Sequence, residues 1–271
     1  MNPWEEFAIE RQAQRANTFI METEDKIRIE SLEAIVKNKK LKDLLKVDYE
    51  QTFEYNILRG ELRNLARGTP LQLDPMTNPL KEIDNAMLGG KTFAVIQWVL
   101  TQAHADAISD YVAAWSQDST IYKHKSTAVI FTSNIGLFNE TIRRLSYTMS
   151  LEASTDEERK EVLDKVAEEV QEGWEQKYKS KIKVAVPETI VKGSRGMNLH
   201  QTQTAALKSI FSTPKRELIL QPFTDAKIKI LQTSNLEYVI PTIGPEMIGG
   251  YESLKKEFND FVVEPIRDPA R

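Results

Sequence analysis

The sequence predicts a mixed α/β protein in which a parallel five-stranded sheet lies between helices. Short segments rich in β-branched and aromatic residues alternate with segments of helical period, and this alternation is typical of parallel sheets covered by helices. The hydrophobic fraction of 41% and the charged fraction of 28% are those of a globular chain. With 271 residues, the chain can bury a substantial core in one large domain or two unequal ones.

Five segments are predicted to be strands. They are TFIME (18–22), FEYNIL (53–58), TFAVIQWVL (92–100), TAVIFTS (127–133) and SYTMSL (146–151). The third and fourth segments are almost continuously apolar, as strands buried on both faces are. We therefore expect these two strands at the centre of the sheet.

Amphipathic segments between the strands predict helices. EDKIRIESLEAIVKN (24–38) and DAISDYVAAW (106–115) each place their apolar residues near one face. The segment GTPLQLDPMTNP (68–79) contains three prolines and predicts a loop.

The segment that follows the fifth strand predicts a group of helices. Ser154 or Thr155 can serve as an N-cap, three acidic residues follow, and lysines lie at the far end, as the helix dipole favours. Further helices are predicted over 198–211 and 225–234. The sequence thus predicts an α/β domain over 1–152, a helical lid-like subdomain over 153–235, and a connector over 236–271.

Composition excludes several classes of function. No segment approaches the roughly 18 to 20 apolar residues that cross a bilayer, and the charged N-terminus is unlike a secretory signal, so we expect a cytoplasmic protein without membrane contact. The chain has no cysteine and three dispersed histidines, which predicts no metal site. A net charge of −4 argues against nucleic acid bound over the whole surface, but it does not exclude nucleic acid at a local basic patch.

The last part of the chain resembles the opening of an AAA catalytic domain. MIGGYESLKKEFNDFVVEPIRDP (247–269) has an Ile-Gly-Gly, a short charged segment with a lysine, and a Pro-x-x-x-Pro run, which precede the phosphate-binding loop in that domain. The matching positions are Gly249, Gly250, Lys255, Pro265 and Pro269.

The preceding region is similar to a degenerate N-terminal AAA+ module. This module precedes the catalytic domain in the plastid- and cyanobacterium-type hypothetical-frame ATPases and in their archaeal and phage relatives. The similar segments are ANTFIMETEDKIRIESLEAI (16–35), LRGELRNLARG (58–68), GMNLHQTQTAALKSI (196–210) and SNLEYVIP (234–241).

The resemblance implies a fold of the P-loop-NTPase (AAA+) type and a role within a larger ATPase. It implies that this chain is a non-catalytic platform and recruitment module, and that the catalytic AAA domain begins where the chain ends. The parent would be a homo-oligomeric ring, expected to be a hexamer, that remodels a protein substrate or another macromolecule. ATP and Mg²⁺ would belong to the full-length protein, and no cofactor to this chain. Ile248 and Gly249 would lie on the adenine side of the downstream site.

The residues at the expected nucleotide site do not favour ATP hydrolysis by this chain. A phosphate-binding loop needs glycines after the first strand, whereas METEDKIRI (21–29) has none and carries Glu22, Glu24 and Asp25. Gln97 and Trp98 lie where the third strand should end in a Mg²⁺-binding acid. We therefore predict no catalytic residue in this chain.

Three polar residues have a functional and a structural interpretation. Asn134 after the fourth strand lies at a sensor-like position, but its residue type is also typical of a turn or helix cap at a strand-to-helix junction. Arg143 and Arg144 lie where an arginine finger would reach a neighbouring subunit, but they could instead form a solvated helix end.

Two alternative functions remain open from the sequence. The first is a stand-alone adaptor or interaction protein with a decayed AAA+ fold. The second is a nucleotide-binding enzyme with a non-standard site around Asn134, Arg144 and the acidic turn after the first strand.

Overall fold

The computed structural model describes residues 3–13, 16–38, 40–74, 76–151, 154–233, 250 and 252–263. The chain divides into two compact units, Met1–Thr224 and Asp225–Arg271. The division into 1–152, 153–235 and 236–271 stays a prediction.

The larger unit contains one seven-stranded sheet. The strands are β1 (Thr18–Glu22), β2 (Gln51–Asn56), β3 (Glu61–Asn64), β4 (Thr69–Pro70), β5 (Thr92–Val99), β6 (Thr127–Thr132) and β7 (Tyr147–Ser150). Their order across the sheet is β4-β3-β2-β5-β6-β1-β7. All five predicted strands are present, and they pair in parallel from β2 to β7.

The described ranges contain twelve α-helices, which are α1 (Pro3–Ala13), α2 (Lys26–Lys37), α3 (Leu41–Leu45), α4 (Pro79–Gly89), α5 (Gln102–Gln117), α6 (Ser119–His124), α7 (Glu140–Leu145), α8 (Asp156–Tyr178), α9 (Glu188–Gly193), α10 (Leu199–Ser212), α11 (Gln221–Thr233) and α12 (Glu252–Phe258). Helices α4 to α7 pack on one face of the sheet, and α1 to α3 pack on the other. The structure confirms the predicted class, a largely parallel α/β core followed by further helices. In the described ranges, every helix is too short or too polar to cross a membrane.

The sheet differs from the prediction in having seven strands instead of five. The two additional strands, β3 and β4, extend one edge in antiparallel pairing, so part of the predicted loop over 68–79 is a strand. Gly60 and Gly68 lie in the turns before β3 and β4 with φ of 65° and 68°, a conformation that glycine adopts at little cost. Strands of four and two residues are too short to produce a recognisable alternation in the sequence.

The two central strands separate two apolar cores. β5 and β6 are buried on both faces, as predicted. On β5, Ala94 and Ile96 pack towards α4, α5, α6 and α7, whereas Phe93 and Val95 pack towards α1, α2 and α3. This alternation follows from the two-residue period of a strand, and it explains why the middle of both strands is continuously apolar.

Capping side chains determine where α8 and α10 begin. Thr155 is the N-cap of α8, where its side chain and that of Glu158 form a capping box. Asn198 and Gln201 form the same arrangement at α10. The sequence allowed Ser154 or Thr155 as the first cap, and the structure selects Thr155.

We expect Ile130→Ala to destabilise the larger unit by about 2–5 kcal/mol, because it removes a buried side chain from the central strand β6 and leaves a cavity. Ile130 is 0% exposed. The measurement is urea unfolding followed by circular dichroism.

Ile9→Ala is the matched control, since Ile9 is 53% exposed on α1. It should change the free energy of unfolding by about 0.5 kcal/mol or less. Equal effects of the two substitutions would contradict the position of β6 in the core.

Candidate functional site

A small cavity lies beyond the carboxyl ends of β1, β6 and β7. Its volume is about 230 Å³, and its lining includes Glu22, Asp25, Arg28, Ser133 and Asn198. β1 is followed by α2 on one face of the sheet, and β6 is followed by α7 on the other. Open parallel sheets bind ligands outside the carboxyl ends of strands whose connections diverge in this way. The cavity is therefore the candidate functional site.

The carboxylate of Asp25 lies at the N-termini of two helices. Asp25 is 4% exposed, and its Oδ1 accepts a hydrogen bond of 3.0 Å from the backbone N–H of Ile27 in α2. Its Oδ2 accepts a hydrogen bond of 2.6 Å from the N–H of Leu199, the first residue of α10. Helix N-termini attract anions because their free N–H groups and dipoles point outwards. A side chain of this protein therefore occupies the position at which an external anion could bind.

Other backbone N–H groups of the segment after β1 are also engaged. The N–H of Asp25 donates to Oγ1 of Thr23 at 3.0 Å, and the N–H of Thr23 donates to the carbonyl oxygen of Thr132 at 2.9 Å. Glu22 and Glu24 add two carboxylates to the cavity lining. A bound phosphate would meet three carboxylates here, which opposes its binding.

Arg28 connects α2 to the first turn of α8. Its Nη1 and Nη2 donate to Oε1 and Oε2 of Glu158 at 3.0 and 2.9 Å, and Arg28 is 5% exposed. Glu158 also accepts from the N–H of Thr155 at 2.9 Å as part of the capping box. Paired hydrogen bonds between arginine and a carboxylate fix orientation as well as distance. The positive charge in the cavity lining is thus already neutralised.

Further polar contacts connect the N-terminal ends of α8 and α10. The hydroxyl of Ser154 donates to the carbonyl oxygen of Met197 at 2.9 Å. The buried Arg159 donates to Ser154 and to Asp156. Arg195, just before α10, donates through Nε to Oδ1 of Asp156 at 3.0 Å. Hydrogen bonds from Arg195 hold the pKa of Asp156 below its usual range, and the charge of Arg159 acts in the same direction.

The end of β5 carries an amide and an indole, as the sequence indicates. Gln97 is 4% exposed, and its Nε2 donates to Oε1 of Glu33 on α2 at 2.5 Å. Burial raises the pKa of Glu54 on the neighbouring strand β2, and the charge of Glu33 adds to this effect. Gln97 thus has a structural partner on α2.

Trp98 lies at a β-bulge that the sequence did not reveal. The pairing register of β5 with β6 shifts between Ile96 and Val99, and Trp98 has a φ of 69°. Regular alternation would place Trp98 and Gln97 on opposite faces. The bulge instead places Trp98 on the same face as Phe93, where it packs against the core beside α2.

Asn134 caps the turn that follows β6. Its Oδ1 accepts a hydrogen bond of 2.6 Å from the N–H of Gly136 at the start of the 3₁₀ turn Ile135–Leu137. Its own N–H donates to Oγ1 of Thr132 at 3.2 Å. This geometry corresponds to the capping interpretation. A sensor role for Asn134 stays a prediction.

Arg143 and Arg144 lie exposed in the last turn of α7. Arg144 forms an ion pair of 2.5 Å with Glu140 one turn earlier. A role for either arginine in a neighbouring subunit stays a prediction. Ile248 and Gly249 lie outside the described residues. Within the described ranges, no three His, Asp or Glu residues converge as metal ligands would.

The sequence did not identify the ion pairs that surround the cavity. Arg28 and Glu158 are 130 positions apart, and nothing local indicates their pairing. One signal was present, because Arg28 lies beside Ile29 and one turn before Leu32 on the face of α2 that is buried. A charged residue on such a face indicates a buried partner but does not identify it.

No protein-family model matches the chain, and no curated protein matches it. Among solved structures, the chain is similar to the RuvB Holliday junction branch migration motor of Thermotoga maritima, with a TM-score of 0.47 and 13% identity over 94% of this chain and 74% of that chain. It is also similar to domain III of the Thermotoga maritima replication initiation protein DnaA, with a TM-score of 0.45 and 14% identity over 86% and 93% of the two chains. The FIGL-1 AAA domain in complex with ADP gives a TM-score of 0.48 and 10% identity over 94% and 83%. These similarities concern the fold alone.

We expect Asp25→Ala to destabilise the larger unit by about 2–4 kcal/mol. The substitution removes the cap of α2 and leaves the buried N–H of Leu199 without an acceptor, and these two effects add. The measurement is the free energy of unfolding in urea at pH 7.

Asp118→Ala is the matched control, because Asp118 caps α6 with hydrogen bonds of 2.6 and 3.2 Å to two N–H groups near the surface. Water can replace that carboxylate, so the control should cost clearly less stability than Asp25→Ala. A cost for Asp25→Ala no larger than that of the control would contradict the connection between α2 and α10.

We expect the stabilisation by Asp156 to depend on pH. Because the folded state lowers the pKa of Asp156, this stabilisation is complete above the pKa of the unfolded chain, about 3.9, and is lost as the pH falls through the folded value. The unfolding midpoints of the wild type and Asp156→Asn should therefore converge below about pH 4. Asp164→Asn, an exposed change on the same helix, should show no such convergence, and a constant difference between wild type and Asp156→Asn from pH 7 to pH 3 would contradict the assignment.

Proposed function

We propose that this chain is the non-catalytic N-terminal platform and recruitment module of a ring-forming AAA ATPase that remodels a macromolecular substrate using ATP. The observation that carries the proposal is the carboxylate of Asp25. It accepts hydrogen bonds from Ile27 and Leu199 at the two helix ends that would otherwise face a phosphate. Because the carboxylate of Asp25 is part of the chain, it competes with the phosphates of any nucleotide for these two N–H groups.

The side chains at the end of β5 support the same conclusion. Phosphoryl transfer needs an acidic residue that holds Mg²⁺ beside the phosphates. Gln97 carries no charge, and its amide is hydrogen-bonded to Glu33. Trp98 carries no charge either, and it packs against the core beside α2. We infer that this is a degenerate phosphate-binding site.

The polar contacts around the cavity support a mechanical role. Asp25 connects α2 to α10, and the ion pair of Arg28 with Glu158 connects α2 to α8. A platform must keep its shape while the ring that it contacts changes conformation. Buried, orientation-specific contacts of this kind favour one arrangement of sheet and helices.

In the proposed full-length protein, ATP and Mg²⁺ bind in a catalytic domain that follows this module. Ile248 and Gly249 would lie on the adenine side of that site. Arg143 and Arg144 would face a neighbouring subunit. The ring is proposed to be a homohexamer in the cytoplasm, with a protein or another macromolecule as its substrate.

We expect the 271-residue chain to release no phosphate from ATP with Mg²⁺ above the rate of a buffer blank, because the part of the chain that the structure describes shows Asp25 at the two helix ends and Gln97 where a metal-binding acid would lie. The measurement is a coupled phosphate-release assay at 1 mM ATP, which is about the upper end of ordinary KM values. The variant Asn134→Ala/Arg144→Ala is the control. Saturable turnover that this variant abolishes would overturn the proposal in favour of an enzyme with a non-standard site.

The coding sequence beyond residue 271 tests the platform role. A G-x-x-x-x-G-K-[S/T] motif within roughly the next twenty residues, after a short apolar strand, would support a parent ATPase. The longer protein should then hydrolyse ATP and form rings in native mass spectrometry. A stop codon would overturn the proposal in favour of a stand-alone adaptor.

A further inference from the structure

We propose that the C-terminal end of α8 and the loop after α10 form a binding site for single-stranded nucleic acid. This aromatic–basic surface consists of Trp174, Tyr178, Phe211 and Arg216, together with the basic side chains of segments 172–183 and 208–217. It lies within the larger unit. It is independent of the cavity at the carboxyl ends of the strands.

Arg216 assembles the aromatic residues into one surface. Its guanidinium lies 5.1 Å from the ring centroid of Trp174 on α8 and 5.6 Å from that of Phe211 on α10. Trp174 and Tyr178, one helical turn apart, have ring centroids separated by 4.2 Å. The indole Nε1 of Trp174 donates to Oγ of Ser180 at 3.1 Å, which fixes the orientation of the ring.

Two of the aromatic side chains are open to solvent. Tyr178 is 51% exposed, and Phe211 is 58% exposed. Packing within the chain does not require aromatic rings at such positions. Exposed rings held in place by their neighbours can stack with unpaired bases, because every base has a π-face.

The charge of the surface is opposite to that of the whole chain. Segments 172–183 and 208–217 contain seven basic and three acidic residues, whereas the net charge of the chain is −4. The acidic residues are Glu172, Glu175 and Glu217, and Glu175 is paired with Lys181 at 3.6 Å. The basic residues are Lys177, Lys179, Lys181, Lys183, Lys208, Lys215 and Arg216. This excess of positive charge can attract a phosphate backbone.

Helix capping explains only part of this arrangement. Lys179 is the C-cap of α8, and Arg216 donates to the carbonyl oxygen of Phe211 at 3.0 Å near the end of α10. Basic residues at helix ends stabilise the helix dipole. Capping does not account for the exposed rings of Tyr178 and Phe211.

The composition favours nucleic acid over a protein partner. Tryptophan, tyrosine and arginine are common in protein interfaces, but lysine is depleted there. Six of the seven basic residues on this surface are lysines. Lysines around stacking rings are typical of sites that follow a single strand without reading its sequence.

Fluorescence anisotropy with fluorescein-labelled dT15 and rU15 tests the proposal. We expect saturable binding of at least one strand by the 271-residue chain, with an affinity that falls between 50 and 200 mM NaCl. The dT15 and rU15 measurements distinguish DNA from RNA. No binding of either strand at 50 mM NaCl would overturn the proposal.

Single substitutions of the exposed rings test the stacking contribution. Tyr178→Ala and Phe211→Ala should each weaken binding about 5- to 100-fold without changing its salt dependence, because each removes one stacked base. Tyr122→Ala is the matched control, since Tyr122 is 40% exposed on α6. Equal losses in the control would overturn the proposed location.

A charge variant tests the electrostatic contribution. Lys177→Gln/Lys179→Gln/Lys215→Gln should reduce the slope of log affinity against log salt by about 2, since each phosphate contact with a single strand contributes about 0.7. Lys46→Gln/Lys123→Gln/Lys125→Gln is the matched control, because it removes the same charge. Lys46 and Lys125 also share the left-handed backbone of Lys179, with φ of 56°, 60° and 54°. A control that lowers the slope as much would overturn the proposal.

Two competitors separate this site from a general polyanion site. Unlabelled duplex DNA of the same length should compete at least tenfold less well than dT15, because its bases are not free to stack. Polyglutamate should also compete poorly, because it carries negative charge but no ring that could stack. Equal competition by either would overturn the proposed role of the rings.

Discussion

The arrangement of the larger unit depends on one buried carboxylate that serves two helix ends. The first N–H groups of α2 and α10 need acceptors, because a buried N–H without a partner is costly. Asp25 supplies both acceptors from a position that is 4% exposed. A single side chain just after β1 therefore connects α2 with α10.

The ion pair of Arg28 with Glu158 adds direction to this junction. Burying two charges costs solvation energy, so such a pair adds little net stability compared with apolar residues of the same volume. Its value lies in geometry, because two parallel hydrogen bonds allow one relative orientation of α2 and the first turn of α8. With the N-terminal ends of α8 and α10 both held at the sheet, their C-terminal ends come together around Arg216.

Local patterns in the sequence predicted five of the seven strands and the start of α8. Strands β5 and β6 were recognisable because both of their faces are buried, and the capping residues of α8 are adjacent to the helix that they start. The sequence did not predict β3 and β4, because strands of four and two residues are too short to show an alternating pattern. For the site, the sequence showed only that segment 21–29 has no glycine and that Gln97 and Trp98 lie near the end of β5. The contact of Asp25 with Leu199 spans 174 positions, and such pairings depend on tertiary packing that no local pattern encodes.

The two-residue strand β4 has a consequence for how copies of this protein can meet. An exposed sheet edge can pair with the edge of another chain and extend the sheet between molecules, which leads to aggregation. β4 is the outer strand on its side, and its second residue, Pro70, has no N–H to donate. Intermolecular strand pairing is therefore disfavoured at this edge, and contacts between copies on that side have to be made by side chains.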